Sequence, residues 1–294
     1  MGLHTELSDF LRSRRARLSP EEAGLHTYGG RRRVPGLRRE ELAQLAGVSV
    51  AYYTRLEQGN GQNVSVEILD SVARALRLDE AERAHLMHLA RPDRRAAARP
   101  ARPQRIRPQL QQLIDAMDGV PAYVTGRRTD VLGWNRLARA LLTDFPALPP
   151  AERNMARFVF LDPRARELFV DWAGKARDTV NYLRFDAGRY PCDERLCTLV
   201  GELSVRSEDF RQLWAAYGVQ DKTFGTKTFQ HPVVGPMTLA YEIFPVAGDG
   251  DQYLVTFHAE PGSSSAEALR LLASWGPEGS VVSEQPDAVR SPRG

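Results

Sequence analysis

Residues 38–59 have the sequence RREELAQLAGVSVAYYTRLEQG, in which two short helical patterns flank a glycine. Gly47 stands where the turn needs a positive φ, which glycine adopts without steric cost. Ser49 is predicted to cap the second helix, because its hydroxyl can accept a hydrogen bond from the first helical turn. The side chains expected inside the angle between the helices are Leu42, Ala43, Ala46, Val48, Tyr53 and Leu56. This pattern predicts a helix-turn-helix, whose second helix enters the major groove of DNA.

The neighbouring residues predict the rest of a small all-α domain. Residues 4–17 form one helical pattern, residues 66–78 (VEILDSVARALRL) repeat apolar side chains at helical spacing, and a further helix begins near Asp79. We therefore predict a five-helix domain over residues 1–90. The Leu-Glu-x-Gly that ends the motif resembles the phage-repressor and Cro-type helix-turn-helix family. The resemblance implies binding to double-stranded DNA.

Position within the motif divides the expected DNA contacts into two groups. Side chains on the exposed part of the second helix are predicted to contact bases: Val50, Ala51, Tyr52, Thr54 and Arg55. Others are predicted to contact the DNA backbone: Arg31, Arg32, Arg33, Arg38, Arg39, Gln44 and Ser49. For the Arg31–Arg33 run, a solvated basic loop is the alternative interpretation.

Charge is unevenly distributed along the 294 residues. Residues 1–105 contain 19 arginines, no lysine and 13 acidic residues, whereas the remainder contains 21 basic and 24 acidic residues. The predicted DNA-binding half is therefore the basic half, as attraction to phosphates requires. The only lysines are Lys175, Lys222 and Lys227. Such a bias is typical of a genome-wide preference for arginine, so arginine content alone says little.

Residues 91–105 (RPDRRAAARPARPQR) are predicted to be a linker, because prolines and arginines replace large apolar residues there. No apolar segment has the length of a membrane helix, and the N-terminus lacks a secretory pattern, so we predict a cytoplasmic protein without membrane contact. Two cysteines, Cys192 and Cys197, predict neither a disulfide framework nor a metal site.

The C-terminal half changes from helical to alternating patterns. It offers two early strand candidates (PAYVTGR and TDVLGW), a helix capped by Asn135, a long helix from about Pro163, two further helices, and late strands around Met237–Phe244 and Tyr253–Phe257. We therefore predict an α+β domain with an antiparallel sheet over residues 106–275, followed by a disordered tail over 276–294.

Several segments resemble the MmyB-like transcription regulators. They are PAYVTGRRTDVLGWNRLARALL, NMARFVFLDP, LVGELSVRSEDFRQLWAAYGV and KTFGTKTFQHPVVGPMTLAYE, together with GRRRVPGLRREELAQLAGVSVAYYTRLEQG in the N-terminal half. The resemblance implies a PAS-like regulatory domain that holds a small apolar or fatty-acid-like effector and no further cofactor.

Large or polar residues on the predicted core faces are candidates for the effector pocket: Trp134, Arg157, Phe158, Trp172, Tyr182, His231, Tyr241 and Phe257. Among these, Arg157 or His231 is expected to anchor a carboxylate through a charge-assisted hydrogen bond.

A single domain of this size buries little surface on DNA, so we expect a homodimer that reads two half-sites about 34 Å apart. We find no nucleophile, zinc-protease or phosphate-loop motif and predict no enzymatic activity and no catalytic residues. The alternative for the C-terminal half is a platform for dimerisation or for a protein partner, with regulation arising from assembly.

Overall fold

A computed structural model describes residues 3–25, 36–61, 64–91, 104–190, 193–220 and 223–275. Helices make up the N-terminal half: α1 (Leu3–Arg17), α2 (Arg39–Leu45), α3 (Val50–Glu57), α4 (Val66–Ala75) and α5 (Glu80–Ala90). This confirms the predicted helical fold. Arg31–Arg33, most of the predicted linker and the predicted tail lie outside the described residues.

The turn between α2 and α3 has the expected local geometry. Gly47 has a φ of +67°, and Ser49 Oγ accepts a hydrogen bond of 3.2 Å from the Tyr52 N–H. Leu42 and Tyr53 are fully buried between the helices. The predicted glycine turn and serine cap are therefore confirmed.

The C-terminal half folds as an α+β domain around a single five-stranded antiparallel sheet. In chain order its elements are α6 (Pro108–Asp115), β1 (Ala122–Thr125), β2 (Val131–Trp134), α7 (Arg136–Leu141), α8 (Met155–Leu161), α9 (Pro163–Leu168), α10 (Trp172–Arg189), α11 (Glu194–Arg206), α12 (Glu208–Ala215), β3 (Gly225–His231), β4 (Gly235–Pro245), β5 (Tyr253–His258) and α13 (Ser264–Ser274). The strand order is β2-β1-β5-β4-β3, so β1 and β5 join the early and late strands. The predicted fold class is confirmed.

The long helix predicted from about Pro163 is wrong, because the chain forms two helices there. Phe169 has an extended φ and ψ, bridges to Phe229 of β3, and is followed by a hydrogen bond from the Val170 N–H to Thr228 O. Asp171 then caps α10 by accepting from the Gly174 N–H. Pairing with the sheet edge and a new cap thus outweigh continuous apolar periodicity.

The cores of the two halves meet at α10. The N-terminal core includes Phe185 of α10 and Val219, which follows α12, beside residues of α1 to α5. A second core fills the space between the sheet and the C-terminal helices. Within the described segments, no helix is long and apolar enough to cross a membrane.

Candidate functional site

The exposed face of α3 is short, because the helix has eight residues, and it contains the predicted base-contacting residues. Val50, Ala51 and Arg55 are exposed, and Tyr52 and Thr54 are half-buried. The Arg55 guanidinium carbon lies 5.9 Å from the centre of the Tyr52 ring. All five side chains are at least partly exposed and remain candidates for base contact, although Tyr52 also packs against the N-terminal core.

The predicted backbone contacts have mixed surroundings. Arg38, Gln44 and Ser49 are exposed at the edge of the motif. The Arg38 N–H donates to Glu41 Oε2 at 2.7 Å, so this residue is also the N-cap of α2. Arg39 is 43% exposed through its side chain, but its Nε is bound within the fold. Arg39 therefore has a structural role in addition to its predicted contact with the DNA backbone.

Glu57 is the residue that binds Arg39 Nε, and this role was not predicted from the sequence. Its carboxylate is fully buried and accepts from Arg15 Nε of α1 and Arg39 Nε of α2, each at 2.7 Å. Arg15 Nη1 also donates to Leu37 O at 2.7 Å. The glutamate of the Leu-Glu-x-Gly signature thus ties the end of α3 to α1 and to the start of α2, which fixes the angle of the recognition helix.

The charge of Glu57 is set by opposing effects. Burial alone would raise its pKa, but the hydrogen bonds from Arg15 and Arg39 and the charge of Arg15 prevail and hold the pKa below its ordinary value. The carboxylate is therefore ionised near neutral pH and needs both arginines.

A second candidate site is a cavity between the sheet and α10. Its volume is about 40 Å³. Its lining is aromatic and apolar with a few polar groups: Tyr123, Thr125, Thr129, Leu142, Met155, Phe169, Lys175, Asp178, Thr179, Tyr182, Lys227, Tyr241, Ile243, Val255 and Phe257. Such a lining suits an apolar ligand with one polar group.

Two of the three lysines in the chain line this cavity. Lys227 Nζ of β3 lies 2.7 Å from Asp178 Oδ2 of α10, and both side chains are about one-fifth exposed. The pair therefore stands at a partly open edge, where a ligand carboxylate would share the ammonium group with Asp178. The scarcity of lysine in the sequence is the signal that distinguishes these positions.

Three of the predicted pocket residues line the cavity, namely Tyr182, Tyr241 and Phe257. Burial raises the pKa of the Tyr182 hydroxyl, so this group is neutral and can donate a hydrogen bond.

The structure places the other predicted pocket residues elsewhere. Trp134 packs against Phe145, with ring centres 5.1 Å apart, and Trp172 Nε1 donates to Val159 O at 2.9 Å. Phe158 is buried, and its ring packs against that of Phe169 in an edge-to-face arrangement. These aromatic rings fill the core, because apolar periodicity identifies the buried face of a helix but not the part of it that borders a cavity.

The two predicted carboxylate anchors are also outside the cavity. Arg157 forms an ion pair with Glu202 of α11 and lines a different cavity. His231 Nε2 lies 3.0 Å from Ala140 O, and burial lowers its pKa. A neutral histidine that is bound to a carbonyl oxygen is a poor anchor for an anion, so Lys227 replaces both residues as the candidate.

Two protein-family models match this chain. The model of the MmyB-like transcription regulator ligand binding domain matches residues 106–272, which is more than half of the chain. The chain belongs to this family. A helix-turn-helix domain model matches residues 6–86 of this MmyB-like regulator, and no curated relative matches it. It is therefore a transcription regulator with a DNA-binding N-terminal half and a ligand-binding C-terminal half, and both matched families are regulatory.

Proposed function

We propose that this MmyB-like regulator binds a specific operator through α3 as a homodimer, and that a fatty-acid-like effector in the α10 cavity controls it. No further cofactor is needed for this activity. The observation that carries the effector class is the combination of an aromatic, apolar lining with the Lys227–Asp178 pair at an open edge. An acyl chain matches the lining, and its carboxylate matches the lysine.

Mass spectrometry of the protein purified under native conditions tests the effector class directly. We expect a co-purifying acid with an acyl chain, released on denaturation. Sodium dodecanoate added to ligand-stripped protein should raise its melting temperature, because a ligand that binds the folded state stabilises it. A protein that carries no such compound and shows no shift with dodecanoate would support the platform interpretation instead.

Replacing Lys227 with methionine should weaken dodecanoate binding about tenfold, the loss expected for one hydrogen bond between charged groups. The methionine keeps a long apolar side chain but removes the ammonium group. Isothermal titration calorimetry would give both dissociation constants.

Dodecan-1-ol and a second variant are the controls for that prediction. The alcohol lacks a carboxylate, so it should bind the wild type and Lys227→Met almost equally. Arg177→Met removes a charge from an exposed position of α10 and should leave dodecanoate binding unchanged. Equal losses for acid and alcohol in Lys227→Met would show that the lysine shapes the cavity and does not bind the head group.

Replacing Arg55 with alanine should relax sequence preference at one base position by about 1 to 3 kcal/mol. The side chain is exposed on α3, where it can donate two hydrogen bonds to guanine. Binding would be measured on a duplex selected from a random library by the full-length protein, and on its single-base variants. Arg74→Ala, at an exposed position of α4, is the matched control. Equal losses on every duplex would assign Arg55 to phosphate contact.

The dimer proposal rests on the small size of the exposed α3 face, which one copy offers to DNA. Light scattering on the complex with the selected duplex should give two chains per duplex, and footprinting should show two half-sites. One chain protecting one half-site would contradict this proposal.

A further inference from the structure

Helix α10 belongs to both halves of the protein. Lys175, Asp178 and Tyr182 line the cavity from its first turns. Phe185, three positions after Tyr182, is buried in the N-terminal core, and its ring centre lies 5.8 Å from that of His88 in α5. Residues three positions apart on a helix are neighbours on its surface. On α10, a residue that lines the cavity and a residue that packs in the N-terminal core are therefore one turn apart.

The boundary between the halves is closely packed where α10 meets α5. The backbone at Gly188 approaches α5 so closely that a Cβ there would lie 2.4 Å from His85 Nδ1. His85 itself is fully buried against Phe10 of α1, with ring centres 5.0 Å apart. A displacement of α10 toward α5 would collide with His85, so α10 can move only if its contacts with α5 give way.

Polar contacts complete this boundary. Arg184 of α10 is 1% exposed, and its Nη1 lies 3.3 Å from Glu6 Oε2 of α1. The Tyr217 hydroxyl donates to Asp9 Oδ2 at 2.6 Å, and Arg14 Nη2 donates to Tyr217 O at 2.8 Å. Interfaces between domains that include polar contacts commonly allow the domains to move relative to each other.

The cavity is too small for the ligand class that its lining suits. Its volume of about 40 Å³ holds little more than water, whereas ligand pockets usually measure about 300 Å³ or more. An acyl chain can enter only if a wall moves. The sheet side is held by ladder hydrogen bonds between β1, β5 and β4, so we expect α10, which forms the opposite wall, to move.

We infer that effector binding and docking of the DNA-binding half oppose each other through α10: a filled cavity displaces this helix and loosens its contacts with α1 and α5. The ligand in this inference rests on the proposed function, whereas the contacts of α10 do not depend on it. The link continues to the recognition helix, since Arg15 of α1 holds Glu57 at the end of α3. The effector thus alters how firmly α3 is supported on the rest of the protein.

A substitution that fills the cavity tests the coupling without any ligand. Val255 of β5 lines the cavity opposite α10 and is buried. Val255→Phe places a larger side chain in that small space, which has to displace a wall. In full-length protein, hydrogen exchange of amides in α1 and α5 should become at least fivefold faster, the lower end of usual coupling between sites.

Two further variants separate coupling from general damage. Leu239→Phe overpacks another buried position, on β4, that does not line the cavity. It should leave exchange in α1 and α5 unchanged. Val255→Leu is the milder filling variant and should give a smaller acceleration if Val255→Phe does not fold. Unchanged exchange in folded Val255→Phe or Val255→Leu, or the same acceleration in Leu239→Phe, would overturn the inference.

Reciprocity gives an independent measurement with dodecanoate. Tyr217→Phe removes the hydrogen bond to Asp9 and weakens the boundary, so the variant should bind dodecanoate about fivefold more tightly than the wild type. Equal affinities would overturn the coupling. If dodecanoate binds neither protein, the proposed effector class fails, while exchange in Val255→Phe still decides the coupling.

Discussion

Replacing Glu57 with glutamine should destabilise the DNA-binding half by about 3 kcal/mol and abolish sequence-specific binding. The change leaves Arg15, which is largely buried, and Arg39, which is partly exposed, without their shared counter-charge. We place the loss at the low end for a broken buried ion pair because Arg39 keeps contact with solvent. Hydrogen exchange of α2 and α3 amides would measure the stability, and a selected duplex would measure the binding.

Glu40→Gln is the matched control for this variant. Glu40 is exposed on α2, so its loss should change stability by less than about 0.5 kcal/mol and leave DNA binding intact. If Glu57→Gln is as stable as Glu40→Gln, the ion pairs do not hold the motif together.

The pH dependence of stability should change in Glu57→Gln as well. Because the folded pKa of Glu57 is lowered, its contribution is present above the unfolded carboxyl value of about 4.3 and is lost as the pH falls through the folded value. The wild type should therefore lose stability in this acid range more steeply than the variant. Parallel curves of the free energy of unfolding against pH would contradict the assignment.

The helix-turn-helix was predictable because its signals are local. Gly47 supplies the turn, Ser49 supplies the cap, and both act within a few residues of their own position. The antiparallel strands were predictable for the same reason, since alternation along β4 and β5 is read from neighbouring residues. Local chemistry and the final fold agree at these positions.

The features that were missed depend on residues far apart in the chain. Glu57 is visible in the motif, but its partner Arg15 lies 42 positions earlier. Lys227 is 49 positions from Asp178, so the polar edge of the cavity exists only after β3 packs beside α10. The break before α10 likewise needs Phe229 of the sheet. Periodicity identifies which side chains are buried, but tertiary pairing decides which of them border a cavity.

Asn135 combines a local and a long-range role, and its replacement with alanine should destabilise the C-terminal half by about 3 kcal/mol or more. Its Oδ1 accepts from the Ala138 N–H at 2.9 Å, which caps α7 as the sequence predicts, and from the Ala122 N–H of β1 at 3.1 Å. Its Nδ2 lies 2.7 to 3.1 Å from three carbonyl oxygens, those of Ile114, Met117 and Val120. Alanine removes the cap and takes away the partner of the Ala122 N–H and of Val120 O, whereas Ile114 O and Met117 O keep backbone N–H donors.

Ser263→Ala separates the two roles of Asn135, because Ser263 caps α13 through the Ala266 N–H in the same half of the protein. Loss of a cap alone should cost about 1 kcal/mol. Urea unfolding followed by tryptophan fluorescence reports on this half, since all four tryptophans lie in it: Trp134, Trp172, Trp214 and Trp275. If Asn135→Ala costs no more than Ser263→Ala, Asn135 is only a cap. A clearly larger cost would mean that one amide side chain joins α6, β1 and α7, and so supports the end of the sheet on which the cavity is built.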